Sequence, residues 1–247
     1  MSRNYQKPPL VEAFCEFQFG SESWDWTIPG LIYQIISDRF PKKRTVKRLE
    51  LQINPATKEL IPGAQGDTER LQFLSEDETL LVQAGSNMLA VNSVAKYPPW
   101  RDFRVLIHEM FNVYREIANP TSIKRIGLRY INRIQIPEVK FDLATFFNLE
   151  PKLPDELPEN LASLFMRVEL PNPSDSGILI LTFGSAPEKL KDQSAFILDL
   201  DFSTTPNPDV KFESQQDWVD AAHTNIETAF EACITDRLRE LFEEIKS

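Results

Sequence analysis

The chain has 247 residues, 42% hydrophobic and 26% charged, so it can bury a sizeable core either as one large domain or as two small ones in contact. Thirty-seven acids against 27 bases give a net charge of -10, which disfavours non-specific attraction to nucleic acid or anionic lipid. No stretch approaches the ~20 apolar residues that span a bilayer, and no opening segment joins a basic region to an apolar run and a small-residue cleavage site. The two cysteines, Cys15 and Cys233, are far apart and flanked by apolar residues. These features point to a cytoplasmic protein with buried, reduced thiols.

Residues Pro9 to Phe19 alternate, with Val11, Ala13, Cys15, Phe17 and Phe19 on one side, which predicts a strand. From Ile28 the spacing changes to three and four, through Leu31, Ile32, Ile35, Ile36 and Phe40, so a helix follows and ends before Pro41. Strands are expected next at Arg48 to Asn54, Glu69 to Ser75, Thr79 to Ala84 and Met88 to Val94, separated by turn residues, as an antiparallel meander. Pro98 and Pro99 introduce a long helix to Asn119 with Trp100, Phe103, Ile107, Met110, Phe111 and Tyr114 on its apolar stripe.

The order then begins again. A long strand at Ser122 to Pro137 leads to a short helix at Phe141 to Asn148, an acidic Pro-rich loop at Pro151 to Glu159, and strands at Leu161 to Leu170, Gly177 to Gly184 and Ser194 to Ser203. One helix from Gln215 to Ile245 closes the chain, with Ser214 and Asp217 in capping-box spacing. The expectation is an α+β fold of two similar strand-helix-meander-helix halves, residues 1–120 and 121–247, with antiparallel sheets and helices on one face, in a TBP-like or helix-grip arrangement. Trp100 and Trp218 stand near the starts of the two long helices and are expected to occupy comparable places.

The segment Ile123 to Ile136 carries the most chemistry. Its odd positions include Arg125, Arg129 and Arg133, which a strand places on one face roughly 7 Å apart. Acids that can answer this ladder are Glu12 and Glu16 on the first strand, Glu169 beside Arg167, and Asp199 and Asp201 on the polar side of their strand. Two uses are open. The charges pair across strands and stabilise the sheet, or the arginines, whose planar forks suit carboxylate and phosphate, make a polar surface that holds an anionic ligand or a protein partner. A third, weaker use is Mg²⁺ held by Asp199 and Asp201, with Glu169 as a candidate further ligand, for phosphate-ester chemistry.

Elsewhere the residues speak against familiar sites. His108 and His223 each lie on a long helix without a second ligand at zinc spacing, and His223 joins Ile226, Phe230 and Ile234 as a half-buried helix histidine. No glycine-rich phosphate loop or nucleophile elbow occurs, so no cofactor is implied. The basic run Lys42, Lys43, Arg44, Lys47, Arg48 lacks interleaved aromatics and reads as a solvated loop.

The opening Pro8-Pro9-Leu10-Val11-Glu12-Ala13, the central run Arg125 to Ile134 reading R-I-G-L-R-Y-I-N-R-I, and the helix pattern His223, Ile226, Phe230, Ile234 together resemble a sporadically distributed bacterial family of about this length. The resemblance implies a bacterial cytoplasmic protein and supplies no reaction. The expectation is therefore a non-enzymatic binding or regulatory protein that uses a polar sheet face, or the cleft between the halves, to hold a partner or small anion. The alternative is a metal-dependent enzyme acting on phosphate esters, which needs a constellation of which only a fragment shows.

Overall fold

A computed structural model describes residues 3–20, 24–47, 51–53, 60–62, 69–95, 97–149, 151–156, 162–172, 177–187, 192–205 and 210–245. In chain order the elements are β1 (Leu10–Gly20), α1 (Ile28–Ile36), β2 (Lys42–Lys47), β3 (Leu51–Ile53), β4 (Leu60–Pro62), β5 (Glu69–Leu74), β6 (Leu80–Gly85), β7 (Met88–Val94), α2 (Trp100–Ala118), β8 (Ser122–Ile136), α3 (Leu143–Phe146), β9 (Phe165–Asn172), β10 (Gly177–Ala186), β11 (Ser194–Thr204), α4 (Gln215–Cys233) and α5 (Asp236–Leu241). The fold is α+β. Nine strands form a sheet in the order β2-β5-β6-β7-β1-β8-β11-β10-β9, and β3 pairs with β4. The pairs β2–β5, β5–β6, β6–β7, β8–β11, β11–β10 and β10–β9 are all antiparallel.

The chain divides into two compact units. The first comprises Phe14–Ile126 with Asp209–Phe212, and the second comprises Met1–Ala13, Gly127–Pro208 and Glu213–Ser247. In the first, α2 buries Phe103, Leu106, Ile107, Met110, Phe111 and Tyr114, the stripe its spacing dictates. Phe111 lies 4.9 Å from Phe17, and Tyr114 stacks 4.8 Å from Phe19. Each such fully buried aromatic contributes about 2 to 3 kcal/mol by leaving water. The helix stops where Asn119 adopts the left-handed conformation (φ 43°) and its N–H bonds the Arg115 carbonyl, a role Asn tolerates.

In the second unit α4 covers one face of the sheet. Trp218 packs 5.7 Å from Phe202 of β11, and the Asn172 amide of β9 donates to Asn225 of α4. Trp100 differs from Trp218: it is half exposed beside Phe103 of its own helix, whereas Trp218 is buried. Both cysteines are free and buried.

Four expectations are corrected. The basic run is not a loop, since Lys42–Lys47 form β2, whose backbone pairs with β5; Arg48 lies outside the described residues. The strand expected at Arg48 to Asn54 is represented in the described residues by the short β3, which pairs with β4 and not with the meander. The last helix is broken. Ile234 is extended and bridges Phe147, the Asn148 side-chain amide takes the Ala232 and Ile234 carbonyls, and α5 restarts behind Thr235. Finally, Ser214 makes no side-chain cap to α4, because its backbone sits in a 3-10 turn at Phe212–Ser214.

Candidate functional site

Along β8 the even positions Ile126, Leu128, Tyr130, Asn132, Ile134 and Ile136 are buried, while Arg125, Arg129, Ile131 and Arg133 are half-buried on the other side. Strand parity therefore does place the three arginines on one face. What each meets there differs.

In the first unit, Arg125 Nη1 lies 3.5 Å from Glu16 Oε1, which also accepts from the Gln18 amide at 2.7 Å. Glu16 is buried at 8% exposure, so this pair holds a carboxylate that would otherwise be stranded.

In the second unit, Arg129 makes a two-pronged bond to Asp199. Nε donates to Oδ1 at 2.8 Å and Nη2 to Oδ2 at 2.5 Å. Asp201 is its cross-strand neighbour in register, and both Asp201 and Glu12 add their negative charge. The Asp199 hydrogen bonds above all hold the guanidinium proton more firmly than usual, against the opposing effect of burial. With both oxygens of Asp199 engaged, a cation at Asp199 and Asp201 would have to displace that guanidinium.

Beneath this pair, on the helix side, Tyr130 Oη and His223 Nδ1 are 2.8 Å apart, and His223 Nε2 stands 3.4 Å from Glu227 Oε1. Burial lowers the His223 pKa to about 4, with Asp220 opposing, so the ring is neutral at physiological pH.

Arg133 is placed otherwise. Its register partner on β11 is Ile197, and its backbone N–H donates to the Pro9 carbonyl at 2.9 Å, so neither flanking position offers an acid. Its Nη2 donates to the Pro187 carbonyl, and its Nε is enclosed without an acceptor. Among the described residues no carboxylate pairs with it. A buried N–H left without an acceptor is costly and invites explanation.

Arg133 lines a cleft of about 320 Å³ together with Lys7, Gln135, Gln193, Pro9 and Phe242. The cleft is built by the joining of the two ends of the chain. Ile245 N–H donates to the Asn4 carbonyl, Gln6 N–H to Glu243, and Lys7 N–H to Phe242. Tyr5 seals that seam, edge-on to Phe242 at 5.7 Å, with its hydroxyl 2.5 Å from Glu231. Lys7 Nζ is salt-bridged to Glu243, so among the described residues Arg133 is the cleft cation that no carboxylate pairs with, flanked by two amide side chains that can accept or donate.

Arg167 and Glu169 do not join the arginines. Register rows run Arg129–Asp201–Ile180–Glu169 and Ile131–Asp199–Thr182–Arg167, so they share the face. Two strands intervene, however, a distance of roughly 14 Å. Arg167 pairs instead with Glu169 on its own strand at 2.7 Å. Lys7, Gln135 and Gln193 were not singled out from the sequence. Gln135 continues the odd parity of the ladder, but nothing local marks Lys7 or Gln193.

Compared with known proteins, the chain matches no protein-family model and no curated sequence. No helix among the described residues is long and apolar enough to cross a membrane.

Proposed function

We propose that this protein is a non-enzymatic binding or regulatory protein that holds an anionic group, a carboxylate or phosphate of a small ligand or partner, on the Arg133 cleft. The observation that carries this reading is the contrast within one arginine series: Arg125 and Arg129 are matched by Glu16 and Asp199, whereas Arg133 faces a cleft with a carbonyl as its acceptor. In a chain of net charge -10, Arg133 has no ion-pair partner among the described carboxylates, which leaves its charge available to an anion. The recurrence of long strand, helix, meander and 19-residue helix supports an internal duplication of a TBP-like or helix-grip kind.

Thermal unfolding with malonate, citrate or inorganic phosphate, against chloride at equal ionic strength, tests the reading. An anion at ten times its Kd stabilises the native state by about 1.4 kcal/mol, or roughly 3 to 5 °C for a chain of this size. Arg133→Ala is expected to keep its own Tm to within about 1 °C, since it removes an unsatisfied N–H, and to lose the anion response. No response in the wild type, or a response that survives in Arg133→Ala, overturns it.

A further inference from the structure

Strand β9 ends the sheet order, and among the described residues no strand pairs with its outer edge. Such an edge offers unpaired N–H and C=O groups to any chain that can match it. Which groups it offers follows from one bond. Ser185 N–H donates to the Leu164 carbonyl. In an antiparallel pair, alternate residues exchange bonds with the same neighbour. Met166, Val168, Leu170 and Asn172 therefore turn their backbone groups toward β10, and Phe165, Arg167, Glu169 and Pro171 turn theirs outward. Pro171, which has no N–H, thus stands where no donor is missed within the sheet.

No side chain of β9 is buried. Phe165 is 77% exposed and Leu170 49%. The other end of the sheet order, β2, is guarded by Lys42, Lys43 and Arg44, whose like charges oppose pairing with a copy of itself. The sequence of β9 does the reverse. Turned antiparallel to itself about Val168, it sets Arg167 opposite Glu169, Met166 opposite Leu170, and Phe165 opposite Pro171. The outward groups of Arg167 and Glu169 then meet in full, the Phe165 N–H meets the Pro171 carbonyl, and only the Phe165 carbonyl lacks a donor because Pro171 has no N–H; the Arg167–Glu169 pair, now exposed at 2.7 Å within one strand, gains an equivalent partner across the axis.

We propose that β9 is a homodimerisation edge, on which a second copy of this chain docks its own β9 antiparallel about a two-fold axis at Val168. The symmetry is isologous, so one patch serves both copies.

Sedimentation velocity on the full chain over a wide concentration range tests this. The wild type is expected to reach a dimer. Arg167→Glu puts like charges across the axis twice and should weaken the dimer by at least roughly tenfold, with a circular-dichroism melt that matches the wild type at concentrations where both are monomeric, because both side chains are exposed. The double variant Arg167→Glu/Glu169→Arg restores opposite charges and should restore the dimer. A wild type that stays monomeric overturns the proposal. So does a dimer indifferent to Arg167→Glu, which is built elsewhere, or one that the double variant fails to restore.

Discussion

Arg129 and Arg133 stand four residues apart on one strand and point to one side, yet they have opposite circumstances. Arg129 has Asp201 in register beside it, Asp199 bonded to both prongs of its fork, and Glu12 within electrostatic reach. Arg133 has Ile197 and Pro9 as its flanking positions and an open cleft before it. The difference lies in what the adjoining strands carry at the matching row. An arginine of this face is paired where the adjoining strand brings an acid to it, and has no carboxylate partner among the described residues where register supplies an apolar residue.

The largest effect is expected at the closed end. Arg129→Ala strands Asp199, whose side chain is 12% exposed, while the guanidinium itself is 41% exposed. The loss should be about 2 to 3 kcal/mol, below the full cost of a buried pair because water reaches one partner. Urea unfolding measures it; a loss as small as that of Arg133→Ala would erase the distinction between the two arginines.

Next in size is acid sensitivity at the same end. His223 has its folded pKa lowered to about 4, from an ordinary 6.5. A depressed histidine pKa means that the unfolded chain binds the proton more readily, so the stability from a neutral His223 is complete above about pH 6.5 and is lost as pH falls toward 4. The amount is on the order of 3 kcal/mol at most. Because carboxylates titrate in the same range, the informative quantity is the difference between wild type and His223→Gln, which should shrink between pH 7 and pH 4.5. A constant difference would mean that the ring is not held neutral.

A smaller effect sharpens the comparison from the open end. Ile197→Asp places an acid in register with Arg133 and should turn it into a second Arg129. The anion-dependent stabilisation, about 1.4 kcal/mol at ten times Kd, should vanish. Stability in the absence of anion should change by about 1 kcal/mol, the new exposed pair offsetting part of the lost apolar burial. An undiminished anion response in Ile197→Asp would separate Arg133 from the site.

Much of the scaffold was legible in local pattern. Period-two alternation marked β1 and β8, and three-four spacing marked α1 and α2 down to the buried stripe of Phe103, Ile107, Met110, Phe111 and Tyr114. The break after Cys233 was not legible, because Thr235 and Asp236 resemble helix surface until Phe147 and Asn148 bring their backbone and amide to that point. Lys42–Lys47 looked like a loop because an edge strand needs no apolar face to pair, and charge there is common.

By itself, then, the sequence determined which side chains share a face, since parity along a strand and spacing along a helix are properties of the backbone alone. It could not determine which arginine would meet an acid. That depends on register between Arg129 and Asp201 and between Arg133 and Ile197, residues some seventy positions apart, and on the joining of the chain's two ends that carries Lys7 to the Arg133 cleft. Such pairings are decided by how the whole sheet buries its apolar side, because a slip of one residue would turn every buried position outward.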